Sequence, residues 1–307
     1  MIIPLTGVQY EIEDGHYRAT VTELGAGLRE LTFRGRPVLA GYEADELPPA
    51  GDGQLLAPWP NRVDGGRYVF GGAEYQLALT EPARENAIHG LTRWMAWTAV
   101  QQDASSVRLR SAPHGQQGYP FCVEIDAEYR VDADTGLRVT VTARNRGSRA
   151  APYGTGSHPY VTVGTSSVDG CELTLPAGSW LPMDDRGIPS GPPEPVDGTE
   201  YDFRQPRVIG GTRLDHALTG LSRDGDGRAW SYLAAGRNGP RVGLWAGDGY
   251  GWLQVFTGDP LGPDRRRKAV AIEPMTCPPN AFATGDDDLL VLEPGQAITH
   301  TWGIQAR

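Results

Sequence analysis

Glycine and proline interrupt this chain so often that long helices have almost nowhere to form. Forty-one glycines and 25 prolines stand among 307 residues, and each costs a helix interior about 1 to 3 kcal/mol. What lies between them alternates at period two. In GLRVTVTARN, Leu137, Val139, Val141 and Ala143 occupy one face, and Arg138, Thr140, Thr142 and Arg144 the other. The same beat runs through residues 122–131, 252–256 and 297–304. Gly71-Gly72 suits a two-residue hairpin, and VDADTG (131–136) and RDGDGR (223–228) read as turns. Residues 91–112 contain neither Gly nor Pro, and Leu91, Trp94 and Thr98 could line a helical stripe there. The alternation of Val107 with Leu109 and the β-rich stretch 97–100 favour strand instead. No linker or fixed-period repeat divides the chain. The expectation is an all-β protein, one large antiparallel sandwich or barrel domain over residues 1–307 with more than ten strands. The proline-rich stretch 182–195 would leave the sheet as a long excursion.

Charge and composition exclude several function classes. A formal charge of −10 opposes nucleic acid and anionic membrane surfaces as partners, since both are held by basic side chains. Eight tryptophans and 39% hydrophobic residues provide too much core material for a disordered chain. Lys268 is the only lysine and follows arginines rather than glycines, which excludes a lysine-bearing phosphate loop. Cys122, Cys171 and Cys277 form no CxxC pair, so neither a zinc ribbon nor a disulfide framework is expected. With no secretory signal and no apolar run of membrane-spanning length, a cytoplasmic location is expected.

Candidate chemistry is sparse. No GxSxG nucleophile elbow occurs, and the six histidines (16, 89, 114, 158, 216 and 300) have no metal-ligand spacing. The runs GDDD (285–288) and DGDG (224–227) lack the glutamate of a calcium loop and read as solvated turns. RRRK at 265–268 is the one basic patch and could grip a sugar phosphate, although a surface loop is the plainer reading. Glu273 closes the apolar run AVAI and precedes a proline, so it should project from a strand end, where burial could raise its pKa into a catalytic range. His158 stands between the glycines and the strand of YGTGSHPYVTV.

Taken in order, these segments resemble the aldose 1-epimerase (galactose mutarotase-like) family. PWPNRVDGGRYVFGGAEYQL resembles its Asn-Arg segment and hairpin, NAIHGLTRWMAWT its first histidine segment, and YPFCVEIDAEYRV with LRVTVTARN its central strands. GSHPYV, RLDHAL and AIEPMTCPPNAF resemble its second histidine, aspartate and glutamate segments. The resemblance implies a large antiparallel β-supersandwich that interconverts the α and β anomers of a free aldose, a monosaccharide partner, and no cofactor or metal. By the same resemblance Glu273 is the general base and His158 the general acid. His89 and Arg62 contact the sugar near its ring oxygen and C1, Asp215 accepts from ring hydroxyls, and Asn61 shapes the turn that presents Arg62. Trp59, Trp94 and Trp97 could stack on a sugar, with core packing expected for at least two. His216, beside Asp215 on an extended segment, should face away.

The chain departs from the galactose-specific members in its recognition residues. Leu91 follows His89-Gly90, Ser157 precedes His158, and Met275, Pro278 and Pro279 follow Glu273. The expectation is therefore a mutarotase of broad aldose preference. Its rivals are an epimerase of a hexose 6-phosphate or other anionic sugar, using Arg62, Arg93 or residues 265–267, and a non-catalytic carbohydrate-binding protein. A glycosidase would use Glu273 and Asp215 as its two carboxylates.

Overall fold

A computed structural model describes residues 3–285 and 288–307. Among them lie two large antiparallel sheets and one helix, the four-residue Ala281–Thr284. The nine-stranded sheet is built around the hairpin Val123–Asp132 and Gly136–Asn145, the latter pairing with Ala297–Ala306. Its alternation is clean. Leu137, Val139, Val141 and Ala143 are buried while Arg138 and Arg144 are exposed. Each apolar side chain removed from water in this way contributes roughly 1.5 to 3 kcal/mol.

The eight-stranded sheet positions the candidate site. Asp215–Leu221, Trp252–Phe256 and Val270–Met275 run side by side, followed by the short strands Gly156–Ser157 and Leu55–Leu56. Its two faces differ. Leu253, Val255, Val270 and Ile272 point into the main core, which also draws residues from the nine-stranded sheet. The other parity carries Gln254, Phe256 and Glu273 between two small apolar clusters. One consists of Leu181, Ala217, Trp252 and Met275, the other of Tyr160, Ala269 and Ala271. A sheet with core on one face and a polar row on the other is a half-open sandwich, and the polar row is where ligand can enter.

Turn chemistry follows the sequence closely. Gly71 and Gly72 both take positive φ (59° and 76°) between Arg67–Phe70 and Ala73–Gln76. The Asp132 carboxylate accepts the backbone N–H groups of Asp134 and Thr135, and the Asp224 carboxylate those of Asp226 and Arg228. These carboxylates close turns. Of the GDDD run, residues 286 and 287 lie outside the described residues.

Two local expectations need correction. Residues 98–102 and 106–111 are strands as expected, but Thr92–Trp94 is a 3₁₀ turn, because Leu91 and Thr92 donate both backbone N–H groups to the Ala57 carbonyl. Glu273 does not end its strand. Val270–Met275 continues past it, and Pro274 is accommodated because pairing on that side is broken between Ser157 and Tyr160. Among the described residues, no helix is long and apolar enough to cross a membrane.

Candidate active site

Strand register assembles the polar row. Gly156 pairs with Met275 and Tyr160 with Ala271, which sets His158 opposite Glu273 across the gap between two short strands. On the other side of Glu273, Gln254 is its direct cross-strand partner. Asp215 pairs with Phe256 and so lies one diagonal step from Gln254, within reach of its side chain. The Gln254 amide donates to Asp215 Oδ1 at 2.8 Å. One face of three consecutive strands and the gap beside them thus presents Asp215, Gln254, Glu273 and His158. His216 has the opposite parity and packs against Trp180 and Tyr201, as expected.

A second wall comes from the ribbon Arg62–Asp64 and Asn86–Ile88. Just beyond its ends, Asn61 and His89 both take left-handed backbones, φ 54° and 61°. Such conformations cost a non-glycine residue about 1 to 3 kcal/mol and persist where neighbours enforce them. Here the two residues enforce each other. The His89 N–H donates to the Asn61 carbonyl at 2.9 Å, and the Asn61 N–H donates to His89 Nδ1 at 3.2 Å. With Nδ1 accepting, neutral His89 carries its proton on Nε2 as a donor. Burial, with His158, Arg93 and Arg62 close by, holds His89 well below the usual imidazole range. The Asn61 side-chain oxygen accepts from the Arg62 N–H at 3.0 Å. Asn61 therefore shapes the turn that carries Arg62, as the sequence suggested.

Arg62 is held by a partner nineteen residues away. Its Nε and Nη2 donate to the Glu81 carboxylate at 2.8 and 3.0 Å, while Nη1 makes only a long hydrogen bond, 3.5 Å, to Asn61 Oδ1 and keeps its second N–H. The excursion 182–195 buttresses this pair. Arg186 bonds Asn86 and Asp64, Asn86 also donates to Glu81, and Gly187 lies so close that a Cβ there would stand 2.8 Å from Arg62 Nη1.

His158 and Glu273 meet at the centre. Nε2 of His158 is 3.3 Å from Glu273 Oε1, and both side chains are almost wholly buried. Among the described residues, His158 Nδ1 and Glu273 Oε2 have no hydrogen-bond partner. Burial, reinforced by Asp215, drives the Glu273 carboxyl well above its usual range against the opposing pull of Arg62. Burial likewise depresses His158 to about 3. Both shifts favour uncharged forms, so the order of proton affinity is reversed and a single proton held by the pair rests on Glu273. The cavity they line encloses about 340 Å³ and also receives Asn61, Arg62, His89 and Asp215. All six expected site residues therefore converge. Among the described residues, no group of three or more His, Cys, Asp or Glu is arranged to hold a metal ion.

Four further residues belong to this cavity or its support: Gln254, Glu81, Tyr160 and Arg93. Gln254 could have been found as the single polar residue in the apolar strand WLQVF. Glu81 and Tyr160 carried no such signal. Tyr160 stacks on the His158 ring, centroids 5.1 Å apart. Trp59 and Trp97 are core residues, whereas Trp94 is about half exposed at the cavity. The basic run does not face this cavity as a free patch. Arg265 pairs with Glu46 and lines another chamber, and Arg267 pairs with Asp169 and Asp259.

Comparison with known proteins bears on the family and the fold. The chain is 37% identical over 292 residues to the uncharacterized protein YihR of Escherichia coli K12, covering 95% of this chain and 91% of YihR. It is 29% identical over 178 residues to galactose mutarotase of Homo sapiens, covering 56% of this chain and 51% of that protein. The crystal structure of the GalM/aldose epimerase homologue from C. elegans superposes with a TM-score of 0.87 at 20% identity, over 98% of both chains. The family model described as aldose 1-epimerase matches residues 8–305, and the chain belongs to that family.

Proposed function

We propose that this protein is a mutarotase that opens and recloses a free aldose ring with Glu273 as base and His158 as acid. The observation that carries the reading is the buried 3.3 Å contact between these two groups in a sugar-sized cavity. O1 and O5 of a pyranose are bonded to the same carbon, so an acid and a base in contact with each other can serve both at once. Glu273 takes the O1 proton and the C1=O double bond forms. The C1–O5 bond breaks, its electron pair stays on O5, and O5 takes a proton from His158. Rotation about C1–C2 followed by the reverse sequence delivers the other anomer.

The pair holds one proton throughout. Opening starts from the arrangement with that proton on His158, carboxylate and imidazolium, which bound sugar must favour over the resting carboxylic acid and imidazole, and opening returns the pair to the latter. Burial favours the uncharged arrangement, which lowers the energy of the open-chain stage relative to a solvated pair. In this reading Arg62 Nη1 and His89 Nε2–H donate to the ring oxygen and O1. Asp215, oriented by Gln254, accepts from a ring hydroxyl.

A second reading concerns the sugar. Arg93 lines the cavity, and among the described residues its guanidinium makes no hydrogen bond or ion pair; it lies over Trp94 at 5.2 Å. Arg62 is neutralised by Glu81, so Arg93 is the cation available to an anionic substituent remote from C1. An anionic aldose is then preferred over a neutral one. Anomer exchange measured on D-glucose and glucose 6-phosphate with wild type and Arg93→Met decides between them. Loss confined to the phosphorylated sugar supports the anionic reading, and equal rates in both proteins overturn it.

A further inference from the structure

A second chamber of about 460 Å³ lies behind the cavity described above, and Tyr160 and Leu261 line both. Deep in it sits Asp52. The residue is 1% exposed, and among the described residues neither carboxylate oxygen makes a hydrogen bond of good geometry, the Tyr160 backbone N–H and Arg265 lying only near enough to favour its charged form. The nearest cation, Arg265, keeps Nη1 3.5 Å away from Oδ2, while its Nη2 is held by both oxygens of Glu46 at 3.2 Å and Nη1 donates to the Gly41 carbonyl. A buried carboxylate so weakly supplied with donors is costly and is rare unless something else donates to it. The lining supplies both signs, with Asp52, Glu46 and Asp264 against Arg265 and Lys268, and its apolar wall is Leu39 and Leu261. Neither sign dominates. A ligand bearing hydroxyls, which donate and accept alike, fits this lining better than an anion or a cation would.

We propose that this chamber is a second saccharide site, which takes a neutral sugar whose hydroxyls donate to the Asp52 carboxylate and accept from Arg265. The site is separate from the acid–base pair and is mechanically linked to it. The loop that carries Asp52 also carries Gly51, where a Cβ would stand 3.1 Å from the His158 ring, and the Gly53 N–H donates to the His158 carbonyl at 2.9 Å. Tyr160 completes the link, with its ring stacked on His158 and its edge in the chamber. Sugar bound there would hold the loop and the Tyr160 ring in place against His158.

The test is an amide chemical-shift titration of the full chain with D-glucose, and with myo-inositol, which has no anomeric centre. Two groups of amides should saturate with separate midpoints, one around Asn61 and His89, the other around Gly41, Thr162 and Thr165. With the titration run above pH 7, where Asp52 is ionised, Asp52→Asn should weaken the second midpoint about tenfold or more, as expected for a lost charge-assisted hydrogen bond. Ala40→Trp, at an exposed position on the chamber wall, should abolish the second group without disturbing buried residues. Both variants should leave the first group in place. Crystals soaked in D-glucose should show a hydroxyl within hydrogen-bond distance of Asp52. Shifts confined to the first group, or ordered water alone between Asp52 and Arg265 in the soaked crystal, would overturn the proposal. Because the titration reads binding, absence of anomer exchange would count against the function proposed above and leave this result standing.

Discussion

Replacing Glu81 with glutamine tests whether Arg62 is positioned by its partner. The wild-type pair is bidentate, at 2.8 and 3.0 Å, with side-chain exposures of 11% for Arg62 and 21% for Glu81. Removing one member of a fully buried ion pair costs about 3 to 5 kcal/mol, because a buried charge is left behind. Partial exposure and the remaining amide oxygen reduce this to roughly 2 kcal/mol. In a chain of this size that corresponds to a melting temperature lower by about 3 °C. The sign with pH can also be stated. Burial alone would raise Glu81, but the hydrogen bonds and charge of Arg62 outweigh it and hold the carboxyl below its usual range. The pair's contribution is therefore full above the ordinary glutamate pKa and is lost as pH falls through the depressed one. Thermal melts from neutral to acidic pH should show wild type and Glu81→Gln converging at the acid end. Anomer-exchange kinetics should show a raised KM, since Arg62 Nη1 is no longer aimed. A variant that melts within about a degree of wild type at neutral pH, with an unchanged KM, would refute the argument.

Three further outcomes are expected. Burial raises Asp52 from 3.8 to about 7 despite Arg265, so its contribution is favourable below pH 3.8 and is lost as pH rises through 7. Asp52→Asn should accordingly flatten the dependence of the melting temperature on pH, by up to roughly 4 kcal/mol across that window; parallel melting curves would contradict this. Gly187→Ala places a methyl against Arg62 in a left-handed backbone (φ 72°). It should cost about 1 kcal/mol in stability and raise KM, and an unchanged KM would show that the excursion does not support Arg62. The pH profile of exchange should have its acid limb far below 6.5, because the pair gains a second proton only near the depressed His158 value of about 3. An acid limb at an ordinary imidazole pKa would contradict the shared-proton account.

The fold was legible wherever alternation meets glycine-bearing turns. Leu137, Val139, Val141 and Ala143 fall on one buried face as their spacing required, and Gly71-Gly72 turns where two positive-φ residues were needed. Glu273 and His158 were legible individually, through the segments that surround them. Their contact was not, because it depends on a strand register between residues more than a hundred positions apart, with Pro159 and Pro274 each removing a backbone donor on either side of it. The Arg62–Glu81 pair was hidden for the same reason, since nothing local links residues nineteen apart across a hairpin. Gln254 was visible as a polar residue among apolar ones, yet its purpose appears only once Asp215 and Glu273 flank it. Residues 92–94 misled because strand propensity says nothing of the Ala57 carbonyl, which captures two N–H groups and winds the backbone into a turn.

The central claim is that Glu273 and His158 exchange one proton with a sugar ring. Its most direct test is polarimetry on freshly dissolved α-D-glucose, α-D-galactose and glucose 6-phosphate, in dilute buffer, with wild type and Glu273→Gln. The account predicts faster relaxation to an unchanged final rotation for at least one sugar with wild type. It predicts a loss of about 10²-fold or more with Glu273→Gln, while sugar still binds the variant. Wild-type turnover by Glu273→Gln would contradict it.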